Sequence, residues 1–74
     1  MTFDEAAKIL KKMYDGGTVD RDKSTQVHLF GIIYADDLAG MSLSEIVARA
    51  GLPKPYKTEI RKGIKLAKYV QAKT

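Results

Sequence analysis

Seventy-four residues carrying a net charge of +4 and no cysteine predict one small domain, residues 1–74, with a modest core and no disulfide or thiolate–metal support. No apolar run approaches the roughly 18 residues that cross a bilayer. Acids at Asp4 and Glu5 stand where a secretory leader would carry positive charge, so a soluble cytoplasmic protein is the expectation.

The charge is unevenly distributed. From Met1 to Pro53 six Lys/Arg face eight Asp/Glu, a net of −2, whereas from Lys54 to Thr74 seven Lys/Arg face Glu59 alone, a net of +6. A block of one sign in one segment is the footprint of a site for a polyanion.

In chain order, Phe3, Ala6, Ala7, Leu10, Met13 and Tyr14 recur at spacings of three and four, which makes one apolar stripe on a helix over 3–15. Thr2 followed by Glu5 has the spacing of a capping box, and Gly16-Gly17 supplies a stop. Gly16 to Lys23 reads as a polar connection. Its acids Asp15, Asp20 and Asp22 lack the glycine and closing glutamate of a Ca²⁺ loop.

A second helix is predicted over 24–39. Val27, Phe30, Gly31, Tyr34 and Leu38 share one side, while Leu29, Ile32 and Ile33 project elsewhere. So small a domain cannot wrap such a helix fully, and Leu29, Ile32 and Ile33 are the predicted homodimer interface. Asp36 and Asp37 mark the wet side, and Gly40 ends the helix.

Ser42 and Glu45 have capping-box spacing for a third helix over 43–50, with Leu43, Ile46, Val47 and Ala50 facing inward. Gly51 closes it, Leu52 follows as an apolar plug, and Pro53 and Pro55 prevent its continuation. A fourth helix over 55–71 separates into two faces at about 100° per residue. Tyr56, Ile60, Gly63, Ile64, Ala67 and Val70 lie on one, and Lys57, Arg61, Lys65 and Lys68 on the other, flanked by Thr58 and Lys62. Gly63 costs a helix about 1 kcal/mol relative to alanine. Its position on the apolar face predicts a close approach to another helix, with Gly31 as the partner. Glu59, at the apolar edge, is expected to pair with a base such as Arg49. The fold class is all-α, a bundle of four helices.

Catalytic constellations are missing from the sequence. His28 is the single histidine, and no H-E-x-x-H accompanies it; it fits a helix contact better than a metal or a reacting group. Asp36 and Asp37 would point about 100° apart on a helix, so they do not form an acid–base pair. Gly16-Gly17 lacks the Lys-Ser/Thr of a phosphate loop, and Ser42 and Ser44 have no base beside them. The expectation is no enzyme, no metal, no cofactor and no evident small-molecule ligand.

Binding chemistry is present instead. Lys65 and Lys68 suit sequence-independent phosphate contacts. Lys54, Lys57, Thr58, Arg61 and Lys62, at the start of the last helix, are the candidates for base edges, where an arginine or lysine donates to guanine O6 and N7. Ser42 and Ser44, with the free N–H groups of a first helical turn, suit a backbone phosphate.

From Ser42 to Ile60 the chain resembles the helix-turn-helix family of bacterial, archaeal and phage regulators. Ser-Leu-Ser-Glu-Ile-Val-Ala-Arg-Ala-Gly-Leu is similar to that family's first helix and turn, and Thr58-Glu59-Ile60 to the middle of its recognition helix. Val47 stands where the family usually has an alanine, and Lys57 where it has an aliphatic residue. The resemblance implies that residues just after the turn meet double-stranded DNA and that dimers bind paired half-sites. A DNA-binding transcriptional regulator is therefore expected. The alternative is a protein-interaction module of the same shape that binds an acidic partner or joins a larger complex, with Leu29, Ile32 and Ile33 as the working surface. RNA binding would call for exposed stacking aromatics and glycine-rich clamps. A membrane-surface role would need the apolar face of the last helix, which the core requires.

Overall fold

The computed structural model describes residues 1–17 and 20–70, and among these every regular element is helical. Five helices follow one another: α1 (Phe3–Asp15), α2 (Asp20–Ile33), α3 (Ala35–Leu38), α4 (Leu43–Ala50) and α5 (Tyr56–Leu66). The expected four become five because the helix predicted over 24–39 begins earlier and breaks at Tyr34.

α1 starts where the sequence places its cap. Thr2 Oγ1 accepts from the Glu5 N–H at 3.1 Å, and Glu5 Oε1 accepts from the Thr2 N–H at 3.1 Å, so the box is complete. Ala6, Ala7 and Leu10 are buried, with Phe3, Met13 and Tyr14 half-buried beside them. α2 draws its first turn from the segment read as a polar connection; Asp22 there suits the positive end of a helix dipole. Thr18 and Val19, in the same connection, lie outside the described residues.

At Tyr34 the backbone leaves helical angles for φ −107°, ψ 21°, the sparsely allowed bridge region. The Tyr34 N–H still donates to Phe30 O at 3.1 Å and the Leu38 N–H to Tyr34 O at 2.9 Å, so the break redirects the chain with little loss of bonding. No proline or glycine marks it. Gly40, at φ 81°, then turns the chain into α4.

Leu10, Val27, Phe30, Ile46 and Ile60 have no exposed surface, and each fully buried side chain of this size contributes about 1.5–3 kcal/mol. α1 lies on α4 and α2, while the largest helix contact is between α2 and α5. That contact is set by glycine. A Cβ on Gly31 would collide with the carbonyl oxygen of Ile60 and come 3.1 Å from Gly63 Cα. A Cβ on Gly63 would collide with the carbonyl oxygen of His28. The close approach expected at Gly63 is there, and Gly31 is its partner.

Candidate nucleic-acid interface

α4 ends as its sequence requires. Gly51 takes φ 74°, a left-handed angle costly for any residue with a Cβ, and the Leu52 N–H returns to Val47 O at 3.1 Å. Leu52 is buried, which ties the turn to the core. Pro53 to Pro55 complete the connection, and α5 leaves from Tyr56, whose ring meets Tyr14 edge-on at 5.4 Å. Tyr56 thus serves packing.

At the start of α4, Ser42 Oγ accepts from the Glu45 N–H at 3.3 Å. The reciprocal half of the expected capping box is not formed: Glu45 instead accepts from Arg49 Nε at 3.3 Å. Arg49 also holds Asp4 at 2.7 Å and lies over the Phe3 ring, pinning α1 to α4. The hydrogen bond to Asp4, then that to Glu45, raises the Arg49 pKa above its ordinary value.

Ser44 is the junction of the surface. On one side it shares a notch of about 220 Å³ with Val47, Ala48, Leu52, Lys54 and Lys57. On the other it lines a shallower groove with Gly40, Met41, Ser42 and Arg61. Of the predicted site residues, Lys54 and Lys57 thus share the notch with Ser44, and Ser42 and Arg61 share the groove with it. Thr58 and Lys65 are exposed on the same helix, Lys65 one turn beyond Arg61.

Two predicted site residues fall elsewhere. Lys62 Nζ lies 3.6 Å from Glu59 Oε1 on the same helix. Lys68 lies beyond the last residue of α5, because the helix expected over 55–71 ends at Leu66 and residue 71 is outside the described residues. For the same reason Val70, predicted to face the core, is 46% exposed.

Glu59 does not meet Arg49. Its Oε2 lies 2.8 Å from His28 Nε2 on α2, close enough for an ion pair though not aligned as a hydrogen bond. The two acids of α4 and α5 are thereby committed, Glu45 to Arg49 and Glu59 to His28 and Lys62. Lys54, Lys57, Arg61, Lys65 and Lys68 have no acid within ion-pair distance among the described residues.

The apolar floor of the notch was not predicted as part of a site. Val47 and Leu52 carry the signature of core residues, and an alanine on a helix surface carries no signature at all. Of the predicted dimer residues, Ile33 is exposed, whereas Leu29 and Ile32 are half-buried. Among the described residues no helix is long and apolar enough to cross a membrane.

A short helix, a left-handed glycine, a buried plug and a second helix with an outward cationic face define a helix-turn-helix-like protein. The family comparison agrees over nearly the whole chain: the model described as HTH-like domain matches residues 2–73, and the protein belongs to that family. No curated protein and no solved structure matches the chain.

Proposed function

We propose that the protein is a non-enzymatic, double-stranded-DNA-binding transcriptional regulator that lays α5 in the major groove and acts as a homodimer. One observation carries the reading: among the described residues, the four cations Lys54, Lys57, Arg61 and Lys65 along the α4–α5 corner have no acid within ion-pair distance, while both acids of those helices are engaged with other bases. A solvated face in an ordinary protein has no need to keep its carboxylates away from its ammonium groups. Phosphate does reward that separation. Arg61 reads a base edge in this scheme, Lys54, Lys57 and Thr58 contact the groove near the helix start, and Lys62 joins them on release from Glu59. Ser42, Ser44, Lys65 and Lys68 hold the backbone.

Selection of bound duplexes from a random pool, with light scattering on the free protein, tests the reading. Enriched inverted repeats and a dimeric mass are expected. With Lys65 and Lys68 each neutralising a phosphate the slope of log K against log salt is about −1.8, which is a loss of about 12-fold between 50 and 200 mM salt. Absence of binding to any duplex at low salt would refute it.

The interaction-module reading has its own observation. Ile33, Leu66 and Val70 are each more than a third exposed, and Tyr69 is 83% exposed, so apolar surface is left open. Alanine at Leu29, Ile32 and Ile33 would then abolish an assembly and leave DNA affinity intact.

A further inference from the structure

The notch between α4 and the start of α5 has more apolar character than phosphate binding needs. Val47 and Leu52 form its floor, Ala48 is exposed on one wall, and Ser44, Lys54 and Lys57 stand at the rim. Lys57 is half-buried, so its methylene stem adds to the wall while its ammonium remains at the edge. A phosphate gains nothing from such a floor, because an ion set against apolar surface loses hydration without recompense. The rim fixes the charge of the occupant. Lys54 and Lys57 have no acid within ion-pair distance among the described residues, and they call for an anionic molecule that also presents a small apolar group.

Duplex DNA meets both demands in one place. Of the four base edges displayed in the major groove, only thymine carries an apolar group, its C5-methyl, and phosphates flank it on both strands. We infer that the notch receives the C5-methyl of a thymine next to the base read by Arg61, with Ala48, Leu52 and the Lys57 stem closing around it. This rests on the DNA-binding reading above and adds a base identity to it. It also gives the protein a reason to prefer DNA to double-stranded RNA, since uracil lacks the methyl and the A-form major groove is too narrow to read.

The test uses the duplex enriched from the random pool, resynthesised with uracil replacing thymine at one position at a time. Uracil removes the methyl and leaves pairing and charge unchanged. One position is expected to bind about fourfold more weakly, the worth of burying one methyl group. Ala48→Leu, which fills the notch from an exposed helical site, is expected to erase the thymine–uracil difference at that position; circular dichroism reports that the variant is folded. Uracil tolerated at every position, with the thymine duplex still bound, would overturn the inference and leave DNA binding standing. A uracil penalty that Ala48→Leu does not change would assign the methyl to another part of the surface and overturn it equally. Failure of the unmodified protein to bind any duplex would instead remove the reading on which the inference rests.

Discussion

Replacing Gly31 with alanine tests the packing that presents α5. Helix propensity alone favours the change by about 1 kcal/mol, since Gly31 lies inside α2 with helical angles. The structure opposes it. The new Cβ would overlap the Ile60 carbonyl oxygen and approach Gly63 Cα at 3.1 Å, and both neighbours are backbone, which cannot rotate aside. The helices must separate, and overpacking of this kind costs about 1–3 kcal/mol or more. Separation also loosens Phe30 and Ile60, which have no exposed surface, so the upper end of that range applies. After the propensity gain, a net loss of about 2 kcal/mol remains. For a domain of this size that lowers Tm by about 8–16 °C. Thermal and urea unfolding followed by circular dichroism give the value. A double-mutant cycle with Gly63→Ala adds a second criterion: once one methyl has parted the helices the second costs less, so the two losses fall short of additive. A Gly31→Ala protein as stable as the parent, or more so, would refute the close-crossing account.

Further outcomes are expected. Thr2→Ala removes the side-chain half of the α1 cap and costs about 1 kcal/mol in urea unfolding. Hydrogen bonds from the Thr2 backbone and then its side chain hold the Glu5 pKa below its ordinary value. The stabilisation from Glu5 is therefore fully present above the ordinary carboxylate range and lost as pH falls through the depressed value. The deficit of Glu5→Gln relative to the parent should accordingly be largest near neutrality and close on acidification. Arg61→Ala should weaken a selected duplex by about 1–3 kcal/mol and relax preference at one base pair, whereas Lys65→Ala should reduce the salt slope by about 0.9 without altering preference. Ile33→Glu should halve the mass seen by light scattering, and a parent protein monomeric at all concentrations would exclude the dimer.

The sequence was most informative where local chemistry and packing agree. Thr2, Glu5 and Gly16 bracket α1, and Ser42 and Gly51 bracket α4, at the residues where those helices begin and end. Gly63 on an apolar face announced a crossing, and its partner Gly31 followed from being the glycine on the other strongly apolar helix. Tyr34 gave no warning, because the periodicity from Phe30 to Leu38 continues across a break that carries no proline or glycine. The partner of Glu59 was hidden for a related reason: His28 is remote in sequence, and only the glycine crossing brings α2 close enough to hold it. Ser44 and Arg61 were legible as separate cationic and polar candidates. Their convergence with Lys54 and Lys57 depends on the angle between α4 and α5, which no spacing encodes. Val47 and Lys57, the two departures from the family pattern, prove to line one notch.

The cationic corner of α4 and α5 is proposed to meet duplex DNA. Titrating the isotopically labelled protein with a short duplex at low salt, and following backbone amide and arginine side-chain resonances, addresses it directly. Shifts are expected to concentrate at Ser42, Ser44, Lys54, Thr58, Arg61 and Lys65 and to fade as salt is added. Shifts confined to Leu29, Ile32 and Ile33, or none at any residue of the α4–α5 corner, would contradict it.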